Sequence, residues 1–441
     1  MQDQSGFWLS PQQKFAWRVE EAIGRPARTL GLISLDGNVE PSRLRSAVGE
    51  VVSRHEALRT VFRRPAGMKM PLQMVLDAAQ FDWEHREISG LSANEQQREI
   101  DSFFEAEQGF DDDSECAPGL RASLLELDHR RSVLLLSLST LCADARSLQV
   151  LMNEAAAFYR GLQNDLPEAF RYVQFAQWQS DLLESDELDA KQGREFWTTQ
   201  IANSLSASNL PSEKNPSGAP FQPQLLVVPV STGLAGLVLS HFEPRSALLA
   251  GWQSLLYRFS GQNMLMTGFF ADNREYEELQ ASIGCFGRTL PIVAGFESTF
   301  TFADVLRRTE DAVREAIARQ EYFAPEAIGL DGELINFGYQ DFSVTEDAGG
   351  VRFSLERVQV VSERFKLRLN VVRRGAELTL EFHYDAARFE RGAVERIAGY
   401  YQNLLAAALA SPATAVAHLP LLPEDERRQL LVEWNQTAAA Y

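Results

Sequence analysis

Histidine, cysteine and long apolar runs are all scarce in this 441-residue chain, and each shortage excludes a class of protein. The three cysteines, Cys116, Cys142 and Cys285, are far apart and odd in number, which excludes a disulfide framework and favours a reducing cytoplasm. No apolar run approaches the ~20 residues that cross a bilayer, so we expect no membrane span. The N-terminus lacks a basic region followed by an apolar one, which excludes a secretory signal there.

Basic patches and ligand-binding motifs are also missing. The net charge is −19, and no basic footprint of a nucleic-acid binder is visible. No glycine-rich phosphate loop occurs, and no histidine or cysteine cluster has the spacing of a metal site. We therefore predict that the chain binds no nucleic acid and no metal, and that it holds no cofactor of its own.

The patterns that are present indicate a mixed α/β protein. Apolar positions in Ser42–Phe62 recur at helical spacing, whereas Leu225–Ser231 is typical of a strand. Two further strand patterns within Leu367–Asp385 are joined by Arg-Gly-Ala, which indicates a hairpin. Because helices and strands mix along the whole chain, the fold class is α/β or α+β.

The length indicates more than one domain. A new unit begins near Asp165, which divides the chain into an N-terminal lobe over 1–165 and a C-terminal lobe over 166–425. The remaining segment, 426–441, has no core of its own, and we interpret it as the start of a linker to a further domain.

The segment Leu136–Tyr159, LSLSTLCADARSLQVLMNEAAAFY, predicts a strand, a tight corner and a helix. The corner places two hydroxyls, a thiol and a carboxylate where catalytic groups are often displayed: Ser139, Thr140, Cys142 and Asp144. A serine or cysteine nucleophile needs a nearby base, and none of the six histidines lies in this segment. Either a distant histidine folds in, or the small side chains only pack.

The sequence allows two roles for the carboxylate of Asp144. A carboxylate beside a buried strand must be paired, and an arginine fork from the other half of the chain would suit it. Asp144 also fits an exposed carboxylate at a helix start, and Ser147 fits the cap of that helix. The loop Phe269–Glu278 supplies one arginine, Arg274.

Several segments, in this order, resemble the recurrent motifs of the condensation-domain superfamily of nonribosomal peptide synthetases. The end of the chain, ERRQLLVEWNQTAAAY, is similar to that family's linker into an adenylation domain. The motif-like segments are LSPQQKFAW (Leu9–Trp17), SRHEALRTVF (Ser53–Phe62), YVQFAQWQ (Tyr172–Gln179), ADNREYEELQASIGCFGRTLP (Ala271–Pro291), INFGYQDF and FKLRLNVV.

The resemblance implies two chloramphenicol-acetyltransferase-like lobes in a V-shaped pseudo-dimer with a central tunnel. The phosphopantetheine arms of peptidyl or aminoacyl carrier proteins bring the tethered substrates into that tunnel. The family's HHxxxDG motif falls on Ser139 to Ala145, so both histidines and the glycine are replaced and Asp144 is kept. By resemblance, Asp144 has a structural role and Arg274 is its partner.

Ser139 and Arg288 depart from related patterns. Heterocyclisation domains carry DxxxxDxxS, which Asp144 and Ser147 match, but Ser139 replaces the first aspartate. The family's usual asparagine before Thr-Leu-Pro is Arg288, and Val293 stands where an arginine is often found. Ser147 and Arg288 are therefore tunnel candidates, with Arg288 either holding an anionic group or replacing the lost arginine.

Three functions follow from these observations. The first is a non-catalytic domain that docks carrier proteins or a trans-acting tailoring oxygenase, such as a β-hydroxylase, because a hydroxyl at Thr140 is no base near neutral pH. The second is an active domain that forms an amide, ester or ring by positioning tethered substrates, with Ser139, Thr140, Cys142 or Arg288 orienting them. The third is a structural spacer.

Overall fold

A computed structural model of the chain describes residues 6–78, 80–110, 119–162, 165–202, 210–214, 220–324, 334–360, 365–423 and 428. These residues form a mixed α/β fold with two six-stranded sheets, which confirms the predicted class. Two compact units are built from alternating segments of the chain. Unit 1 comprises Met1–Lys191, Asp272–Arg288 and Phe342–Arg364; unit 2 comprises Gln192–Ala271, Thr289–Asp341 and Phe365–Tyr441.

Unit 1 contains one six-stranded sheet and a separate two-stranded sheet. Its elements are α1 (Pro11–Ile23), β1 (Arg28–Asp36), α2 (Pro41–Arg54), β2 (Thr60–Arg63), β3 (Leu72–Val75), β4 (Asp82–Glu87), α3 (Ala93–Gln108), β5 (Arg121–Asp128), β6 (Arg131–Ser139), α4 (Ala145–Arg160) and α5 (Tyr172–Glu184). Helix α6 (Leu188–Ala202) runs from unit 1 into unit 2. Two strands from later in the chain, β11 (Thr345–Ala348) and β12 (Val351–Gln359), complete the order β11-β12-β1-β6-β5-β4.

Unit 2 contains the second six-stranded sheet. Its further elements are β7 (Pro223–Pro229), α7 (Thr232–His241), α8 (Pro244–Ser260), β8 (Met264–Ala271), β9 (Arg288–Gly295), α9 (Phe302–Ile317), β10 (Ile335–Asp341), β13 (Leu367–Arg374), β14 (Glu377–Asp385) and α10 (Arg391–Ala410). The strand order is β7-β14-β13-β10-β8-β9. One face of this sheet packs with α8 and α10 into a large apolar core.

The predicted hairpin at the end of the second sheet is confirmed. Strands β13 and β14 pair antiparallel from Leu367 with Tyr384 to Arg374 with Glu377. The connection passes through Gly375, whose φ of 59° is a left-handed conformation that glycine adopts without strain. Alternate residues Leu367, Leu369 and Val371 are buried in the core, as the period-two pattern requires.

The predicted helix over Ser42–Phe62 is too long. Helix α2 ends at Arg54, a short 3₁₀ turn covers Glu56–Arg59, and β2 begins at Thr60. The run Thr60–Arg63 contains β-branched and aromatic residues, and it pairs antiparallel with β3. Tertiary pairing therefore overrides the helical spacing at the end of this segment. The strand predicted over Leu225–Ser231 lies at Pro223–Pro229.

The predicted lobe boundaries, 1–165 and 166–425, stay a prediction. The linker predicted over 426–441 lies outside the described residues, except for residue 428. Within the described part of the chain, no helix is long and apolar enough to cross a membrane.

Candidate functional site

The corner between β6 and α4 is a tight, buried turn in unit 1. Strand β6 ends at Ser139, and the next backbone groups turn at once, because the Cys142 N–H donates to the Ser139 carbonyl at 2.9 Å. The Thr140 N–H donates to the Ala27 carbonyl at 3.0 Å, which ties the turn to the start of β1. The corner therefore has its backbone groups bonded within the unit.

Asp144, rather than Ser147, caps helix α4. The Ser147 N–H donates to Asp144 Oδ1 at 2.9 Å, and the Asp144 N–H donates to Ser147 Oγ at 3.3 Å, which completes a capping box. The prediction that Ser147 is the N-cap of the helix is therefore wrong by three residues. Physically, the carboxylate is the better acceptor for the free N–H groups of a first helical turn.

Asp144 and Arg274 form a two-pronged buried ion pair. Arg274 Nη1 lies 2.9 Å from Asp144 Oδ2, and Arg274 Nη2 lies 2.9 Å from Asp144 Oδ1. The arginine side chain is 0% exposed and the aspartate side chain is 8% exposed. This fork geometry is the strongest arrangement for such a pair, and it joins residues that are 130 positions apart.

Further donors complete the shell of the carboxylate. The N–H groups of Phe286 and Gly287 donate to Asp144 Oδ2 at 3.1 and 3.0 Å, and the Ser147 hydroxyl donates to Oδ1 at 2.8 Å. Asp144 and Ser147 therefore hold both the start of α4 and the loop Asp272–Arg288. No lone pair of this carboxylate is left for a substrate proton, so the arrangement is structural.

Arg274 is equally well bonded on its other side. Its Nε and Nη2 donate to the Ser282 carbonyl at 3.3 and 3.1 Å, and its guanidinium lies 4.4 Å from the ring centroid of Phe286. Ser147 Oγ accepts from Nη2 at 3.1 Å. The tunnel candidate Ser147 is therefore buried within this hydrogen-bond network of unit 1.

The pKa of Asp144 is lowered despite its burial. Burial raises the pKa of a carboxyl, but the charge of Arg274 and the hydrogen bonds from Arg274 and Ser147 outweigh it. Asp144 is thus a carboxylate at neutral pH, and it does not act as a general acid or base there.

The hydroxyls and the thiol of the corner are buried. Thr140 is 1% exposed, and its Oγ1 lies 3.4 Å from Thr29 Oγ1. Ser139 Oγ accepts a hydrogen bond from the Leu141 N–H at 3.3 Å. Cys142 packs among apolar side chains, and burial raises the pKa of its thiol to about 12. Almost no thiolate exists at neutral pH, so Cys142 is no nucleophile.

The three histidines of unit 1 lie elsewhere. His55 is buried with Nε2 2.8 Å from Glu154 Oε2, which ties α2 to α4. His85 Nε2 lies 3.0 Å from Glu126 Oε1, and His129 is exposed in the turn between β5 and β6. None of them supplies a base to the corner, and this supports the packing interpretation of the corner's small side chains.

Arg288 lies in a buried polar cluster at the end of the loop. With the Gln12 amide oriented so that its oxygen accepts, that oxygen bonds Arg288 and lies 3.2 Å from Asn273 Nδ2. The Gln12 nitrogen then donates to Gln179 Oε1 at 3.0 Å. The loop therefore contacts the start of α1 as well as the start of α4, which is consistent with a structural role for the guanidinium of Arg288.

Two buried groups were missed by the sequence reasoning. Glu20 lies in α1, where burial raises the pKa of its carboxyl to about 7. Its position in the helix could have indicated its burial, because Ala16, Val19 and Glu20 fall on the buried stripe of the helix. Tyr172 is also buried, with its hydroxyl 2.8 Å from Ser10 Oγ and 2.7 Å from the Cys285 carbonyl.

Unit 2 contains a buried polar row that sequence reasoning also missed. Asn370 Nδ2 donates to Glu381 Oε2 at 2.8 Å, and His383 Nε2 lies 3.7 Å from the same oxygen. Burial lowers the pKa of His383 and Glu381 partly offsets this. Among the described residues, no group of three histidines, cysteines or carboxylates is arranged to hold a metal ion.

Two solved structures illustrate how widely the fold of this chain is shared. The first condensation domain of the calcium-dependent antibiotic synthetase, in complex with a substrate analogue, superposes with a TM-score of 0.81 at 14% identity, over 95% of this chain and 99% of that one. The X-domain in its complex with OxyB from teicoplanin biosynthesis superposes with a TM-score of 0.76 at 20% identity, over 96% and 97%.

Sequence relatives give the same result. Tyrocidine synthase 2 of Brevibacillus parabrevis is 28% identical over 442 residues, which is 96% of this chain and 12% of that protein, so this chain spans a small part of the relative's length. The family model of the condensation domain matches residues 8–431. Two six-stranded sheets of this fold, together with a match over nearly the whole length, place the chain in the condensation-domain family.

Proposed function

We propose that this chain is a condensation-fold domain of a nonribosomal peptide synthetase that forms no amide bond and serves as a docking domain. Its partners are peptidyl or aminoacyl carrier proteins, whose phosphopantetheine arms hold the tethered substrates. A further partner is an adenylation domain that follows it. A trans-acting tailoring oxygenase, such as a β-hydroxylase, docks on it. We place the assembly in the cytoplasm, where widely spaced cysteines stay reduced.

One observation carries the proposal. Thr140 occupies the position of the histidine that aids amide formation in the family, and its hydroxyl is buried against Thr29. The nearby thiol of Cys142 stays protonated because burial raises its pKa to about 12. The corner keeps the ion pair of Asp144 with Arg274, and neither the Thr140 hydroxyl nor the Cys142 thiol is a base that works at neutral pH.

A solved structure of similar fold supports the proposed docking of a trans-acting oxygenase. The X-domain of teicoplanin biosynthesis shares the fold of this chain and is found in complex with OxyB. A fold that has lost its base and keeps its internal bonds is suited to holding a partner enzyme beside a loaded carrier.

Binding and turnover are measured on the same purified chain. Calorimetry with an aminoacyl-loaded carrier protein, and with a β-hydroxylase from the same biosynthetic system, is expected to show saturable binding of at least one of them. A carrier without its phosphopantetheine arm is the matched control. If neither partner binds, the docking function is contradicted.

Turnover is followed by intact-protein mass spectrometry with loaded donor and acceptor carriers. We expect no transfer of the donor group beyond the rate seen without this chain. Transfer that disappears in variants Ser139→Ala, Thr140→Ala, Cys142→Ala or Arg288→Ala would instead support amide, ester or ring formation by positioning.

A further inference from the structure

A cavity of about 280 Å³ lies in unit 2 between strand β9 and helix α9. We call it the edge cavity. It is lined by Gln253, by the consecutive residues 292–295 at the end of β9, and by Val305, Arg308, Thr309, Asp311, Ala312 and Glu315. Its volume is at the low end for ligand pockets, so it suits one or two side chains better than a large metabolite.

The edge cavity runs along the backbone of β9. Side chains of successive strand residues point to opposite faces of a sheet, so one face of β9 would contribute only alternate residues. Here Ile292, Val293, Ala294 and Gly295 all line the cavity. Strand β9 also ends the sheet among the described strands, so its outer backbone groups pair with no strand there.

The direction of these backbone groups follows from a neighbouring bond. The Phe296 N–H donates to the Asn263 carbonyl at 2.7 Å, on the β8 side. Since successive N–H groups of a strand alternate in direction, those of Val293 and Gly295 point away from β8, toward the cavity side. Pro291 falls on the same outer side, where a residue without an N–H is tolerated.

A buried amide donor without a partner lies in the wall of the edge cavity. Gln253 is 0% exposed, and its Oε1 accepts a hydrogen bond from Thr309 Oγ1 at 2.9 Å. Its Nε2 has no hydrogen-bond partner in the described part of the chain. Buried amide donors are almost always bonded, so this one marks a place for an acceptor that comes from outside.

Three charged residues line the edge cavity, and Arg308 is the one of them without a close ion pair among the described residues. The two carboxylates, Asp311 and Glu315, are each paired with an arginine about one turn later in the chain, at 3.0 and 3.2 Å. Arg308 lies 4.3 Å from the ring centroid of Phe300, and its charge acts on the exposed Asp304 only at longer range, without a close ion pair among the described residues. Arg308 can therefore pair with a negatively charged group, and Gln253 Nε2 can bond an uncharged acceptor.

We propose that the edge cavity binds an extended peptide segment of a partner protein, which adds a strand to β9. The backbone of the segment pairs with the outward groups of Val293 and Gly295. An uncharged side chain with an oxygen acceptor reaches Gln253, and an acidic side chain two residues later reaches Arg308. Strand addition of this kind takes its affinity from main-chain hydrogen bonds and its specificity from alternate side-chain pockets.

The test uses the whole chain, labelled with ¹⁵N, and the blocked peptide acetyl-TVNVDT-amide. Its asparagine and aspartate fall on one face of a strand. We expect saturable chemical-shift changes in the amides of Val293 and Gly295. A peptide with leucine and lysine at those two positions, acetyl-TVLVKT-amide, is expected to bind about tenfold more weakly, because it loses a hydrogen bond and an ion pair.

Three variants separate strand addition from other binding. Val293→Pro removes an outward donor and leaves the β8 side intact, and we expect binding about fivefold weaker, as for one lost hydrogen bond. Ala294→Trp fills the cavity and is expected to abolish binding. Val227→Trp, on the opposite edge strand β7, is the matched control and is expected to bind normally.

Each result decides the proposal. Absence of saturable shifts in β9, or shifts that persist unchanged in Val293→Pro and Ala294→Trp, overturns it. The test uses neither a carrier protein nor an oxygenase, so its failure leaves the proposed docking function to its own calorimetric test.

Discussion

Two buried carboxylates of unit 1, at the start of α4 and near the end of α1, have opposite pKa shifts. Asp144 is held by both prongs of Arg274, by two backbone N–H groups of the loop and by Ser147, and its pKa is lowered. Glu20 accepts from the Ala27 N–H at 3.0 Å, and burial raises its pKa to about 7. Two carboxyls that are buried to a similar extent thus have pKa shifts of opposite sign.

The comparison teaches that the partners of a buried carboxylate decide its charge. A full shell of donors offsets the cost of removing the charge from water, whereas one backbone donor and the more distant charge of Arg28 do not. Asp144 therefore stabilises the fold above its unfolded pKa, and that stability is lost as the pH falls through its lowered folded pKa. Glu20 has the reverse dependence.

The largest effect is expected from Asp144→Ala. The substitution leaves Arg274 buried without its counter-charge, and we expect the free energy of unfolding to fall by about 3–5 kcal/mol. Urea unfolding followed by tryptophan fluorescence measures it. The control Glu84→Ala breaks the exposed Glu84–Arg86 pair and should change little. Equal losses in both variants would contradict a stabilising role for the buried pair.

The next effect is expected from Glu20→Gln. In the native chain, the contribution of Glu20 to stability is greatest at and below about pH 4.5 and falls as the pH rises toward 7, because the unfolded carboxyl ionises more easily. The neutral amide removes this dependence. We expect the variant to be more stable at pH 8 by on the order of 2 kcal/mol and equally stable at pH 4. A parallel pH profile for both proteins would show that Glu20 is not perturbed.

A smaller effect is expected from Ser147→Ala. The substitution removes one donor to Asp144 and one acceptor for Arg274 Nη2, while the two-pronged ion pair remains. We expect a loss of about 1.5 kcal/mol in the free energy of unfolding, typical of one hydrogen bond to a charged group. A loss as large as that of Asp144→Ala would mean that Ser147, and not the ion pair, holds the loop.

The smallest effect is expected at Cys142. Its thiol is buried and its pKa is about 12, so iodoacetamide at pH 8 should leave it unmodified in the folded protein. Peptide mapping by mass spectrometry measures the alkylation, and the same reaction in urea is the control. Rapid native alkylation would indicate a reactive corner and would favour the catalytic alternative.

The local patterns of the chain predict much of the fold. The hairpin of β13 and β14 follows from two alternating runs around a glycine turn, because its contacts are close in sequence. The helical spacing places the end of α2 too late, since β2 forms only through its pairing with β3. Periodicity describes which face of an element is buried, but it does not describe which distant strand pairs with it.

The candidate site shows the same division. Motif order predicts the pair of Asp144 with Arg274, and the need of a buried carboxylate for a partner supports it. The capping role of Asp144, the donors from Phe286 and Gly287 and the contact between Arg288 and Gln12 come from residues distant in sequence. The stripe of α1 places Glu20 beside Ala16 and Val19, but the pattern does not show how few donors the buried carboxyl meets.

Residue identity and order are enough to predict the family, the α/β class and a corner without histidine at Ser139–Ala145. The charge of the buried groups depends on tertiary contacts. Whether a carboxylate, thiol or amide meets a full shell of donors, an apolar wall or an empty edge depends on chain segments that fold together from far apart. That difference separates Asp144, Cys142 and Gln253, each buried and each with a different role.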